Sequence, residues 1–142
     1  MNIHFGNERW NQAAALALRY EVFVSEQGIS LKDEFDQLDT TDRNYFVAYE
    51  DDLVLGTIRY QKKNAYTLQP DRLCVKKEVR KKGIGEKLVL LLEDKGRQEH
   101  CTHYVLSAEV AVIPFYEKLG YQVQSDCYLE DGILCVEMGK AL

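Results

Sequence analysis

Between Asn11 and Val24 alanines and apolar residues cluster at helical spacing, so the periodicity predicts a helix whose β-branched end blurs its boundary. Ahead of it, Asn2 to Phe5 reads as a short first strand. After it, Lys32 to Asp42 is acidic and reads as a loop holding one helical turn. Three β-rich stretches follow, Tyr45–Glu50, Leu53–Gln61 and Tyr66–Lys76, the first two joined by Asp51-Asp52 in a hairpin-like connection. Ile84, Leu88, Leu91 and Leu92 then fall at i, i+4, i+7 and i+8, the spacing of a helix with one buried stripe, and Gly96 supplies a stop. Tyr104–Leu106 reads as a buried strand. Phe115–Gly120 reads as a short helix, with Pro114 in its first turn, where a missing N–H costs nothing. Tyr121–Cys127 and Ile133–Met138 close the chain as strands, with a hairpin across Glu130-Asp131-Gly132.

This order, βα, then a run of strands, then βαβ-like alternation, predicts an α/β protein with a mixed sheet and helices on both faces. The chain has 142 residues and shows no linker, repeat or low-complexity tract, so a single domain over 1–142 is expected. Composition narrows the partners. A net charge of −5 argues against a nucleic-acid partner. No apolar run approaches a membrane span, and the first residues lack the pattern of a secretion signal, so a cytoplasmic protein is expected. Cys74, Cys101, Cys127 and Cys135 form no C-x-x-C pair, and the three histidines lack ligand spacing. Buried reduced thiols and no metal are the expectation.

The chemistry gathers at Arg80-Lys81-Lys82-Gly83-Ile84-Gly85, where a strand gives way to a helix. Glycines let the backbone turn sharply and approach a ligand, and first-turn amides point outward with partial positive charge. Phosphate or pyrophosphate is the natural guest. Neither the P-loop G-x-x-x-x-G-K-[ST] nor the dinucleotide pattern G-x-G-x-x-G fits, since Leu88 stands where the third glycine would be. Taken alone, the turn reads equally well as a solvated helix start.

The neighbourhood adds a resemblance. R-x-x-G-x-G at Arg80–Gly85, preceded by Leu73-Cys74-Val75 and followed by Phe115–Tyr121, resembles the acetyl-CoA-binding core of the GNAT superfamily of N-acetyltransferases. The segments Arg19–Gln27, Asp33–Asp36 and Arg72–Val75 make it similar to the ElaA/YjcF-like branch of small bacterial members. The likeness runs from the first helix to Met138. It implies a mostly antiparallel central sheet that splays between the fourth and fifth strands, with the thioester in the gap. By the same resemblance, the amides of Lys81, Lys82, Gly83, Ile84, Gly85 and Glu86, with the side chain of Arg80, would grip the pyrophosphate of coenzyme A. The main chain of Leu73, Cys74 and Val75 would bind the pantetheine arm like an added strand. Tyr116 stands where many relatives place the acid that protonates the departing thiolate; its bland alternative is a core tyrosine. Glu26, at the end of the first helix, would recognise the amine or relay its proton, and Arg59 and Arg72 would face the acceptor. For Arg72 an outward pairing with an acid such as Asp71 is an equal reading.

Two departures from the branch stand out. Glu109 occupies a position where relatives carry an amide, and a carboxylate cannot donate as an amide does. Cys135 replaces the histidine of the last hairpin; a packed strand cysteine outweighs an acyl-carrying nucleophile or an acceptor contact. The reading is therefore an acetyl-CoA-dependent N-acetyltransferase acting on a primary amine of a small molecule or peptide, as a monomer or homodimer. The alternative is an acyl-CoA-binding module with little catalysis.

Overall fold

The computed structural model describes residues 1–142. The strands are β1 (Asn2–Gly6), β2 (Tyr45–Glu50), β3 (Leu53–Lys62), β4 (Thr67–Val75), β5 (His103–Glu109), β6 (Gln122–Val123), β7 (Tyr128–Glu130) and β8 (Ile133–Ala141). The helices are α1 (Arg9–Arg19), α2 (Leu31–Glu34), α3 (Ile84–Gln98) and α4 (Ile113–Lys118). Hydrogen-bonded strand order is β1-β2-β3-β4-β5-β8-β6, with β7 against β8. The chain packs as two compact units, Met1–Arg59 with Arg72–Leu92, and Tyr60–Asp71 with Glu93–Leu142.

In the first unit β1 pairs antiparallel with β2, and β2 with β3, across a turn at Asp51-Asp52. The alternating Tyr45, Val47 and Tyr49 meet the alanine face of α1, so the core here is Ala15, Tyr45 and Val47 with Leu16 and Val54 alongside. Small residues on the helix and β-branched or aromatic ones on the strand allow that close approach. Two buried amides pin it. Asn11 donates Nδ2 to the carbonyls of Gly6 at 2.9 Å and Tyr45 at 3.0 Å, and accepts from the Tyr49 hydroxyl at 2.7 Å. Gln12 donates to the carbonyls of Thr41 and Arg43. Buried polar groups satisfied this way fix the register of helix on sheet.

After Arg19 the helix widens into a π-helical segment, Tyr20–Glu26. The amide of Gln27 donates to the carbonyl of Val22 at 3.1 Å, five residues back. The run Val22-Phe23-Val24 has stiff or bulky side chains that crowd an ordinary turn. Widening lets Val22 join Leu18 and Cys74 in a second core cluster.

The acidic segment after Ser30 is tied down by ion pairs at Glu34, Asp36 and Asp39, while Asp33 and Asp42 stay exposed. The hydroxyl of Ser30 accepts from the amide of Asp33 and caps the single turn α2. Glu34, Asp36 and Asp39 then bind Arg19, Arg59 and Arg72. Arg19 is fully buried; its Nε donates to Glu34 at 2.8 Å and its two Nη groups to Asp39 at 2.7 and 2.9 Å. Arg59, 1% exposed, donates to Asp36 at 2.8 and 3.1 Å and to Asp39 at 3.0 Å. The Tyr45 hydroxyl adds a 2.6 Å bond to Asp39. Burial pushes the Asp39 carboxyl up, but the bonds from Arg19 and Tyr45 and the charges of Arg19 and Arg59 outweigh it, leaving it well below the usual range.

In the second unit β4 begins a parallel ladder with β5, Thr67 opposite His103 and Leu68 opposite Tyr104. β5 then runs antiparallel with β8 over seven residue pairs, from His103↔Ala141 to Glu109↔Cys135. Its core holds Tyr104, Leu106, Tyr121 and Met138 around the buried carboxylate of Glu93, which accepts from Tyr121 at 2.9 Å and from Lys140 at 3.0 Å.

Three expectations change. Gly96 does not stop its helix, which runs on to Gln98 and ends near His100 in the left-handed region. Glycine is needed there because a Cβ would collide with the ring and hydroxyl of Tyr104. Leu91 is 40% exposed; the buried stripe of α3 is Ile84, Leu88, Val89 and Leu92, each aliphatic side chain worth about 2 kcal/mol when fully buried. The stretch Tyr121–Cys127 carries only a two-residue strand, and the final hairpin is β7–β8 across Asp131-Gly132.

Replacing Asp39 by Ala leaves two buried guanidinium groups short of a partner. The expected loss is on the order of 3–5 kcal/mol in chemical denaturation, and a loss comparable with an exposed ion pair would contradict this account. Because the Asp39 carboxyl is depressed in the folded state, its contribution is complete above its unfolded value, about 4, and fades below it. The stability gap between wild type and Asp39→Ala should therefore be widest at neutral pH and close as the pH falls below about 4.

Candidate active site

Strand β4 reaches the site with Arg72 at a φ of +53°, a left-handed conformation rare for a side-chain-bearing residue inside a strand. The distortion sends its guanidinium to α2, where it donates to the carbonyls of Glu34 at 3.3 Å and Asp33 at 3.1 Å and meets the carboxylates of Glu34 and Asp36. Its acidic partners are thus Glu34 and Asp36, while Asp71 accepts from Gln61 at 3.2 Å. Arg59 is sealed inside the same network. Beyond Arg72, Leu73 is half-buried, and Cys74 turns into the core, where burial pushes its thiol far up.

The chain leaves Val75 through a 3₁₀ turn, Lys77–Val79, and enters the glycine turn. Lys81 has a φ of +65° and Gly83 of +83°. Only at Gly83 does glycine remove the strain of that conformation, and open space lies where its Cβ would be. The carbonyl of Gly83 accepts from the amide of Lys87 at 3.1 Å and so opens helix α3. The amides of Ile84, Gly85 and Glu86 have no intrahelical acceptor, by the geometry of a first turn. With exposed Lys81 and Lys82 next to them in the chain, these first-turn donors carry the local positive charge that suits a phosphate.

Arg80 does something different from its neighbours. Its Nε donates to the carbonyl of Val75 at 2.9 Å, and its two Nη groups clasp Glu26 at 2.7 and 2.9 Å. One guanidinium thereby ties the end of β4, the end of the π-helical segment and the glycine turn together. The Arg80 bonds hold the Glu26 carboxyl below its ordinary value. A carboxylate so held is a weak proton acceptor near neutral pH.

In the second unit Tyr116 sits on α4, whose first turn contains Pro114. Its ring packs edge-on against Phe115 and Tyr121, with centroids 5.0 and 5.6 Å away. Burial first, and the charge of Glu109 second, push its hydroxyl well up, so it keeps its proton at neutral pH. Cys135 is 4% exposed and pairs across the ladder with Glu109. Burial and the charge of Glu130 raise its thiol, which weakens it as a nucleophile. Sequence reasoning missed a third group here. Ser107 donates to Glu130 at 2.7 Å and shares a 2.6 Å bond with the Tyr128 hydroxyl. The period-two alternation Val105, Ser107, Glu109 was a usable signal for this exposed face, but the strand bearing Tyr128 and Glu130 was not foreseen.

Residues 11–142 match the model of the acetyltransferase (GNAT) domain, and the chain belongs to that family. The uncharacterized N-acetyltransferase YjcF of Bacillus subtilis is 32% identical over 127 residues, covering 89% of each chain. A crystal structure from Lactobacillus plantarum is 38% identical with a TM-score of 0.94, covering 99% of this chain and 97% of that one. An aminoglycoside 6′-N-acetyltransferase complexed with coenzyme A shares the fold at 18% identity and a TM-score of 0.78, covering 99% and 97%.

Burial separates the four thiols, all of which are free: Cys127 is exposed, while Cys74, Cys101 and Cys135 are buried. Alkylation under native conditions should label Cys127 well ahead of the others, as read by peptide mass spectrometry. Fast labelling of Cys135 would show its thiol to be more open and reactive than this packing gives it.

Proposed function

We propose that the protein is an acetyl-CoA-dependent N-acetyltransferase that moves the acetyl group directly from the thioester to a primary amine of a small molecule or peptide. The observation that carries this reading is the glycine turn, left-handed at Lys81 and Gly83 and opening α3, within a chain of the GNAT family. In this proposal the amides of Lys81 to Glu86 and the charges of Lys81 and Lys82 hold the pyrophosphate. The Leu73–Val75 main chain holds the pantetheine arm, which makes an amide contact such as an added strand would. The coenzyme supplies the activated acetyl group. Arg80 serves as the brace of the turn, with Glu26 as its anchor, because its Nε and both Nη groups are already engaged within the protein. Tyr116 gives its proton to the departing thiolate, a role assigned by its place in the Phe115–Tyr121 motif, although the burial that raises its hydroxyl makes it a weaker acid than an exposed tyrosine. Arg59 and Arg72 act through the ion network that shapes strand β4. Free, mostly buried thiols suit a reducing compartment, so we place its work in the cytoplasm.

A second reading, an acyl-CoA-binding module with little turnover, is favoured by one observation: the buried Cys135 with a raised thiol offers no base where the branch has a histidine.

Calorimetry with coenzyme A, followed by free-thiol release across an amine panel, tests the proposal. Tight binding with turnover supports the enzyme, tight binding with silence across the panel supports the module, and no binding ends both. Glu26→Gln carries an opposite-sign test. If Arg80 braces the turn, coenzyme A binds about tenfold more weakly, within the range of one lost charge-assisted pair. If Arg80 is itself a phosphate ligand, freeing it tightens binding instead. Tyr116→Phe should lower kcat by on the order of a hundredfold with little change in coenzyme A affinity, and an unaltered kcat would remove Tyr116 as the acid.

A further inference from the structure

A groove of about 670 Å³ opens in the first unit where the start of α1 parts from β1 and the β2–β3 turn. It is remote from the glycine turn, since Trp10 and Glu26 mark opposite ends of one continuous helical stretch on the order of 20 Å long. Three aromatic rings line it. Trp10 lies 4.8 Å from His4 and 6.0 Å from Tyr49, centroid to centroid, the planes of Trp10 and Tyr49 meeting at 52°. Trp10 is 57% exposed, an unusual position for the largest side chain of a small protein. The opposing rings are fixed from behind. The Tyr49 hydroxyl is tied to buried Asn11, and the His4 ring meets Glu8 at 2.9 and 3.0 Å. Ala14, on the helical floor, leaves room that a longer side chain would fill.

Charge selects the guest. Asp51 and Asp52 overhang the groove, and no lysine or arginine lines it. A neutral apolar partner would have to cover two carboxylates without replacing their water. A compact inorganic cation would gain little from the ring faces. We infer that the groove is a binding site for a small organic cation with a methylated ammonium head, held by cation–π contact with Trp10 and Tyr49 and by the carboxylates of Asp51 and Asp52. The site is independent of acetyl transfer: it needs neither the coenzyme nor Tyr116. Trp10 is the more exposed of the two rings, and the quadrupole attraction acts within about 6 Å of a ring centroid.

Trp10 is the chain's sole tryptophan, so its emission reports on the groove directly. Choline chloride is titrated into the full-length protein at pH 8 and constant ionic strength, with 3,3-dimethylbutanol as the neutral analogue of the same shape. The expected result is a saturable change in emission with choline, at least about tenfold weaker with the alcohol. The double variant Asp51→Asn/Asp52→Asn should lose affinity severalfold while folding normally, because asparagine tolerates the φ of +52° found at Asp51. A change that does not saturate over the millimolar range overturns the inference. So does equal binding of the alcohol, or undiminished affinity in the double variant.

Discussion

Three guanidinium groups and three carboxylates, from segments far apart in the chain, meet largely out of water in the first unit. Arg19 from α1, Arg59 from β3 and Arg72 from β4 are matched by Glu34, Asp36 and Asp39 of the segment around α2. Ions in a low-dielectric interior are tolerable only when their charges balance and their lone pairs and protons are used. Here the charges balance three against three, and Asp39 alone accepts from Arg19, Arg59 and Tyr45. The network is less a source of net stability than a set of geometric constraints. It holds an otherwise loop-like acidic stretch against the sheet, and it draws Arg72 into a backbone conformation that ends the regularity of β4.

That distortion leads into the candidate active site. Past Arg72 the strand presents Leu73 to Val75, then gives way to the glycine turn, and Arg80 reaches back to the Val75 carbonyl while Glu26 grips its far end. The π-helical widening of Tyr20–Glu26 places that carboxylate. An extra residue per turn shifts every later side chain around the axis, so the same sequence in an ordinary helix would aim Glu26 elsewhere. The glycine turn is thus tied to its neighbours through Arg80 as well as shaped by the left-handed Gly83.

Most elements were legible in the chain because their periodicities are strong: β2 appears over the predicted Tyr45–Glu50, and α3 begins at Ile84. The glycine turn and the FY helix were legible as motifs. The misplaced features share one cause, the dependence of local structure on distant contacts. Gly96 looks like a stop until Tyr104 is seen pressing on it. Leu91 sits at the edge of a helical stripe whose centre is set by what packs on it. Tyr128 and Glu130 form a strand only because β8 offers them a partner.

By itself the sequence determined the α/β class and most of the order of strands and helices, which rest on local periodicity, and its ordered motifs carried the resemblance to the GNAT acetyltransferase family. The tertiary structure decided the partners of the charged residues. Lys32–Asp42 reads as an acidic loop, and its Glu34, Asp36 and Asp39 pair with Arg19, Arg59 and Arg72. Glu26 and Arg80, fifty-four positions apart, form one clasp. Charge pairing acts between atoms a few ångströms apart in space, and no pattern along the chain encodes which distant partners will meet.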